Sequence, residues 1–260
     1  MFLNKPKDIY KECVGKASLH KNLYHYTNPD ALKAILKNHS LRLGCIDSVN
    51  DSDENKRITS LWNAKVYVLC FTYELENSPY FFKNYGKIRL EFATEDIKFD
   101  KIYSEPELIN FFKDFSNDLG GQTNGSHKSY GYVKDWCIYD KILADVYYTD
   151  CFNKHIAKNG YELNAGLIKQ KSGLDNDGES RNWEMEAETR LRVALRPVGS
   201  ENVLDEKTNK FYQPKPDFKH MYIRLPIINS ISLSPFIPLE ERQQIIRILD
   251  DYYLFDKLLP

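Results

Sequence analysis

Short apolar runs of strand length dominate the chain, interrupted by a few stretches with helical spacing and by polar or glycine-rich turns. Residues 23–27, Leu-Tyr-His-Tyr-Thr, are short and aromatic, which suits a pleated strand. Asn28-Pro29-Asp30 follows, with Asn28 fit to cap a helix and Pro29 to open it. Leu32, Ile35 and Leu36 then recur at helical spacing as far as Asn38, and residues 41–43 begin a second strand. Residues 66–71, VYVLCF, are continuously apolar, as a central strand covered on both faces would be. Residues 87–92 alternate, placing Ile88, Leu90 and Phe92 on one face.

Further along, residues 106–119 carry Leu108, Ile109, Phe111, Phe112 and Phe115 at the spacing of an amphipathic helix, and the glycine-rich residues 120–131 predict a mobile loop. Strands are expected at 132–139 and 144–148, a helix near 152–158, and a second loop at 172–180, SGLDNDGES. Residues 222–225 and 227–233 read as late strands, and 239–254 as a closing helix with Ile245, Ile246, Ile248 and Leu249 turned inward. The pattern is that of an α+β protein.

The most informative stretch is 183–195, WEMEAETRLRVAL. Trp183, Met185, Ala187, Leu191, Val193 and Leu195 fall on one side, and Glu184, Glu186, Glu188, Arg190 and Arg192 on the other, which predicts one half-buried strand with a charged face. Three carboxylates on one edge repel each other unless cations or a ligand offset them, and Arg190 and Arg192 can supply part of that offset. Two readings stay open on this pattern alone: a solvated, salt-bridged face, or a site.

Composition narrows the setting. Contents of 42% hydrophobic and 28% charged residues are ordinary for a globular chain, and 18 Tyr with 14 Phe favour strands. A length of 260 residues with no internal repeat and no clear linker predicts a single domain spanning residues 1–260. A net charge of −1 excludes a global basic field that would steer the chain to nucleic acid, leaving only a local groove for that purpose. The platform that would serve is Tyr130, Tyr132 and Trp136 with Lys128 and Lys134. The N-terminal lysines (Lys5, Lys7, Lys11, Lys16, Lys21) read as a solvated face.

The cysteines, Cys13, Cys45, Cys70, Cys137 and Cys151, are dispersed and form no C-x-x-C pair, which argues for a reducing compartment. With charges in the first dozen residues and no apolar run near ~18 residues, a cytoplasmic protein without a membrane segment is expected. His20, His39, His127, His155 and His220 lack metal-ligand spacing, so no metal is expected and these histidines are placed at the surface. Neither a G-x-G-x-x-G nor a G-x-x-x-x-G-K-[ST] phosphate loop is present.

Five segments, in order, resemble a widespread bacterial family first described without a function. They are the His-Tyr-Thr strand and its helix (residues 23–36), the turn Asn50-Asp51-Ser52-Asp53-Glu54, the strand Cys70-Phe71-Thr72, the pair Phe82-x-x-Tyr85, and Trp183-x-x-Glu186-x-Glu188-x-Arg190. Val49, Ser52 and Phe82 depart from that family's preference for Phe, Pro and Trp. The family is in turn similar to the ADP-ribosyltransferase fold, to which DarT-type toxins that modify DNA also belong. The resemblance implies two small, mostly antiparallel sheets flanked by helices, with NAD as substrate in the cleft between them.

It further implies that His25, with its neighbours Tyr26 and Thr27, contacts NAD, that Tyr85 (or Thr72-Tyr73) takes a second position, and that Glu188, with Glu186 as helper and rival, is the catalytic acid. Arg190 is either a partner of these glutamates or a ligand of the NAD pyrophosphate, and Glu184 is surface. The chemistry is consistent, because cleaving the nicotinamide-ribose bond builds an oxocarbenium-like sugar that a fixed carboxylate stabilises. The function implied is ADP-ribosyl transfer in a toxin or antiviral defence effector. The acceptor would be nucleic acid (DNA or RNA) or a cellular protein, and an antitoxin or inhibitor would be a partner. The alternatives are an inactive nucleotide-sensing or protein-interaction module, and an NAD glycohydrolase.

Overall fold

The computed structural model describes residues 6–46, 65–76, 78–104, 132–133, 136–150, 166–175, 177–197, 203–205, 210–212 and 219–259. The expected turn at 48–54, the helices at 106–119 and 152–158, and the loop at 120–131 lie outside these residues. So do Lys128, Tyr130 and Lys134, His127 and His155.

Helix α1 (Pro6–Ala17) precedes strand β1 (Asn22–Thr27), which leads into α2 (Pro29–Asn38). Asn28 caps α2 as its residue type predicts, its side chain accepting from the Ala31 N–H, and His39 ends the helix in a left-handed conformation. Strands β2 (Ser40–Cys45) and β3 (Lys65–Thr72), helix α3 (Ser78–Asn84) and strand β4 (Ile88–Ala93) follow. Next come β5 (Tyr132–Val133), β6 (Trp136–Asp145), β7 (Tyr147–Thr149), β8 (Ile168–Gln170), β9 (Ser172–Leu174), β10 (Ser180–Asn182) and β11 (Glu188–Pro197). The chain continues through β12 (Val203–Asp205), β13 (Lys210–Tyr212), β14 (His220–Arg224) and β15 (Ile228–Leu233), then α4 (Leu239–Asp251). The protein is thus α+β with mostly antiparallel sheet.

Nine strands join in one sheet, and it forks at β3. One edge of β3 pairs with β11 along its whole length, from Lys65↔Leu195 to Thr72↔Glu188. The other edge is shared: Tyr67 and Val68 meet β2, whereas Thr72 alone meets β1, at Tyr24. Strands β1, β4 and β15 therefore form one arm, β2 and β14 another, and the β3 edge around Cys70 lies open between them. Leu23, Leu69, Phe71, Leu90, Leu191 and Val193 build the main core with Leu32 and Leu36 of α2 and Ile245 and Leu249 of α4. A smaller cluster packs Cys13 of α1 on Ile142 and Ala144 of β6.

Three expectations are corrected. The strands expected at 132–139 and 144–148 are broken differently. A β5–β6 hairpin runs through to Asp145, after which Tyr147 leaves the β11 ladder to pair in parallel with Ile168. Residues 172–180 are not an open loop but most of the β9–β10 hairpin, whose turn is folded around the Asp175 carboxylate accepting from Asp177 N, Glu179 N and Arg181 Nε.

The stretch 183–195 is not one strand. Residues Trp183–Glu186 form a 3₁₀ turn, Ala187 sits in the left-handed region at φ 42°, and the strand starts only at Glu188. Trp183, Leu191, Val193 and Leu195 are buried as expected, but Met185 is exposed, and on the charged side Glu186, Glu188, Arg190 and Arg192 are buried too. Of the charged side only Glu184 reaches solvent as expected.

Candidate functional site

A cavity of about 300 Å³ opens beside the fork in the sheet. Tyr24, His25 and Tyr26 come to it from β1, Cys70, Phe71 and Thr72 from β3, and Phe81 and Tyr85 from α3 and its end. Lys169 of β8, Trp183, Glu186, Glu188 and Arg190 form the remainder. Residues separated by more than 160 positions in the chain thus share one hollow, which is the arrangement of a small-molecule site: largely aromatic walls and a few converging polar groups.

The polar groups form a quartet. Arg190 grips Glu188 with both arms of its fork, Nε to Oε1 at 2.8 Å and Nη2 to Oε2 at 3.0 Å, and spends Nη1 on the Gly166 carbonyl at 3.0 Å. The Lys169 ammonium lies 2.6 Å from Glu186 Oε2 and 3.7 Å from Glu188 Oε2, and stands 4.2 Å from the centroid of the Trp183 ring. Tyr85 donates its hydroxyl to Glu186 Oε1 at the cavity mouth.

Burial alone pushes the Glu188 carboxyl upward, but the charges of Arg190 and Lys169 and hydrogen bonds from Arg190 and the Cys70 thiol outweigh it, bringing it from 4.5 to about 2. Glu188 is therefore a fixed, permanently ionised carboxylate. The same carboxylate, after burial itself, raises the Cys70 thiol and the Tyr148 phenol well above their ordinary values, so both stay protonated donors.

The backbone explains how two glutamates separated by one residue reach one cavity. In a plain strand they would stand on one face about 6.6–7 Å apart. Here the Ala187 kink places Glu186 in the turn and Glu188 in the strand, and the kink is braced by Thr72 Oγ1 and Tyr73 N, both donating to Ala187 O at 3.3 and 3.4 Å. A second close approach positions Tyr85: Gly86, at φ 132°, runs so near β1 that a Cβ there would sit 2.2 Å from Thr27 O.

His25 bonds through Nδ1 to the Cys70 carbonyl, 3.0 Å away on the open edge of β3. A carbonyl only accepts, so Nδ1 carries the proton. Burial lowers the ring's pKa against that hydrogen bond, so at neutral pH the ring is uncharged and Nε2 is left as an acceptor.

Of the residues singled out from the sequence, His25, Tyr26, Thr72, Tyr85, Glu186, Glu188 and Arg190 all line the cavity. Thr27 does not: it is buried beside Ile88 of β4. Tyr73, the alternative to Tyr85, points away and stacks on His20, ring centroids 3.9 Å apart. Thr72 spends its hydroxyl on bracing the kink. Arg190 lines the cavity and is engaged there by Glu188 and Gly166, as a partner of the glutamate. His20 is half-buried rather than fully exposed, and its Nε2 lies 2.8 Å from Asp145 Oδ2, which belongs to the carboxylate that accepts from Thr189 Oγ1 at 2.6 Å.

Lys169 is the residue that sequence reading missed. One lysine within Ile-Lys-Gln carries no signal of its own, and its place is set by the parallel pairing of β8 with β7.

Comparison with protein-family models, with curated proteins and with solved structures returns no match. Among the described residues no cluster of three or more His, Cys, Asp or Glu side chains suited to a metal ion occurs, and no helix is long and apolar enough to cross a membrane.

Proposed function

We propose that the chain is an NAD-dependent ADP-ribosyltransferase with its site in this cavity. The observation that carries the reading is the convergence of His25, Tyr85 and the two glutamates, drawn from separate segments, on one aromatic-walled hollow. The α+β architecture with mostly antiparallel sheet is compatible with it.

In this account Glu188 opposes the positive charge that grows on the ribose as its C1′–N bond to nicotinamide breaks and the bonding electrons leave with the base. The acceptor's nucleophile then bonds to C1′, and its proton passes to the Glu186 carboxylate. The neutral His25 ring accepts a ribose hydroxyl through Nε2. Tyr26 and Tyr85 flank the nicotinamide ring. The acceptor is a macromolecule, nucleic acid or protein, in keeping with a toxin or defence effector held in check by an antitoxin.

One observation favours a second reading. Two carboxylates and two cations make a quartet of zero net charge, as a purely structural network would. A nucleotide-sensing or protein-interaction module would have such a network and no turnover. NAD labelled in its adenylate half, incubated with the protein and cell lysate, separates the possibilities. Labelled macromolecule plus free nicotinamide supports transfer; nicotinamide without label marks a glycohydrolase. Neither product from the folded protein leaves the binding module.

A further inference from the structure

On the cavity side of the β1–β4–β15 arm, Tyr26, Arg89 and Ser232 stand level across two antiparallel ladders, so their side chains share a face. Tyr24 faces the same way two residues earlier, and both tyrosines line the cavity. The Arg89 guanidinium carbon lies 5.3 Å from the Tyr24 ring centroid. Its terminal nitrogens donate to Ser78 Oγ at 3.0 Å and Ser232 Oγ at 2.8 Å, and its Nε is buried with no hydrogen-bond partner among the described residues.

Arg89 is half-buried, solvated by two serine hydroxyls and without a close counter-charge. Lys87, Lys169, Lys171, Arg181, Arg190 and Arg192 each pair with a carboxylate. Arg89 has no acidic oxygen within 4.0 Å among the described residues. Glu91, the acidic residue on the same face, is turned instead to Asn22 Nδ2 at 2.7 Å and to the Ser230 hydroxyl. Hydroxyl dipoles solvate a half-buried cation without neutralising it, so the guanidinium keeps both charge and unused donors. Ser232 accepts from Arg89 and retains its own hydroxyl proton for a further acceptor. Ser78 ties the cluster to the cavity wall, accepting from the Tyr26 hydroxyl at 3.2 Å.

We propose that Arg89 and Ser232 form an anion subsite that takes the diphosphate of a dinucleotide whose nicotinamide end occupies the cavity. A planar fork next to a hydroxyl donor matches phosphate oxygens, which present several acceptors in a plane. The location fits, since β4 is one strand spacing, about 4.8 Å, from β1. A cavity of about 300 Å³ holds a ring and its sugar but not a whole dinucleotide, so the rest of the ligand lies outside it, and the wall formed by Tyr24 and Tyr26 continues to Arg89. Naming the anion a dinucleotide diphosphate rests on the NAD reading; the unneutralised guanidinium does not.

Calorimetric titration with inorganic pyrophosphate tests the subsite without any turnover. Arg89→Gln is expected to weaken binding by about tenfold or more and Ser232→Ala by about two- to fivefold, while Glu184→Gln, on the exposed side of the turn, leaves it unchanged. Arg89→Lys, which keeps the charge and loses the fork, falls between wild type and Arg89→Gln, and with Ser232→Ala it decides the matter if Arg89→Gln does not fold. Absence of pyrophosphate binding by the folded wild type, or equal binding by wild type and the Arg89 and Ser232 variants, overturns the subsite. Binding that depends on Arg89 in a protein that never cleaves NAD keeps the subsite and removes the ADP-ribosyl reading. NAD cleavage with Arg89-independent pyrophosphate binding does the reverse.

Discussion

Strand β11 carries two buried arginine-carboxylate pairs two residues apart, and they differ in what surrounds them. Arg190 holds Glu188 bidentately at the wall of the cavity, with Lys169, Tyr85 and His25 brought in from other elements. Arg192 is equally buried and bonds Asp140 of β6, but it does not line the cavity. Charge on a strand face is therefore not what marks a site. The mark is convergence of unrelated segments on a hollow, together with a carboxylate too enclosed to rehydrate. The Glu188 side chain is 7% exposed, whereas that of Asp140 is 17% exposed.

That contrast can be broken by removing each cation in turn. Arg190→Met strands a buried carboxylate and is expected to cost about 3–5 kcal/mol in urea denaturation, the range for splitting a buried pair. Arg192→Met is expected to cost less, about 1–3 kcal/mol, because Asp140 can turn to water. Equal losses would erase the distinction between the two pairs.

Removing the carboxylates sharpens it on the side of function. Glu188→Gln should lower nicotinamide release by about 10²–10³ in a folded protein. Asp140→Asn should leave release per folded molecule within about twofold of wild type, because Asp140 touches nothing in the cavity.

Acid titration probes the Glu188 pair in a third way. A carboxylate whose folded pKa is depressed adds stability above its unfolded value, and that stability disappears as pH falls through the folded value. For Glu188 the window runs from about 4.5 down to about 2 and is worth up to about 3 kcal/mol. Glu188→Gln should flatten the stability curve over that window, and an unchanged slope would contradict the assignment of a strongly held Glu188.

Smaller effects follow at the mouth and the surface. Tyr85→Phe loses the hydroxyl to Glu186 and is expected to cost about 0.5–1.5 kcal/mol of stability while raising KM for NAD more than it lowers kcat. Glu184→Gln, on the exposed face of the turn, should change neither activity nor stability beyond about 0.5 kcal/mol.

What could be read from the sequence divides along physical lines. The β1–α2 junction was legible because Asn28 and Pro29 act locally, and β3 because a short run apolar at every position and rich in β-branched and aromatic residues suits a strand covered on both faces. The alternation of β4 was equally plain. The stretch 183–195 misled for two reasons. Its period-two pattern runs unbroken through Ala187, and a left-handed alanine held by bonds from Thr72 and Tyr73 leaves no local trace. Charged residues at 188, 190 and 192 read as solvent-facing, yet β11 lies between β3 and β6 with both faces covered, and the charges are buried because they neutralise one another. Lys169 and Arg89 were invisible for a related reason: one is placed by a parallel pairing of distant segments, the other is notable only for the carboxylate it lacks.

The central claim is that the cavity cleaves NAD by means of Glu188. The most direct measurement is nicotinamide release from NAD, followed beside transfer of adenylate label into lysate macromolecules, for wild type, Glu188→Gln and Glu184→Gln, with folding checked for each. Release and transfer by wild type and Glu184→Gln, with both lost in Glu188→Gln, is the predicted result. No release from the folded wild type, or undiminished release from Glu188→Gln, would contradict it.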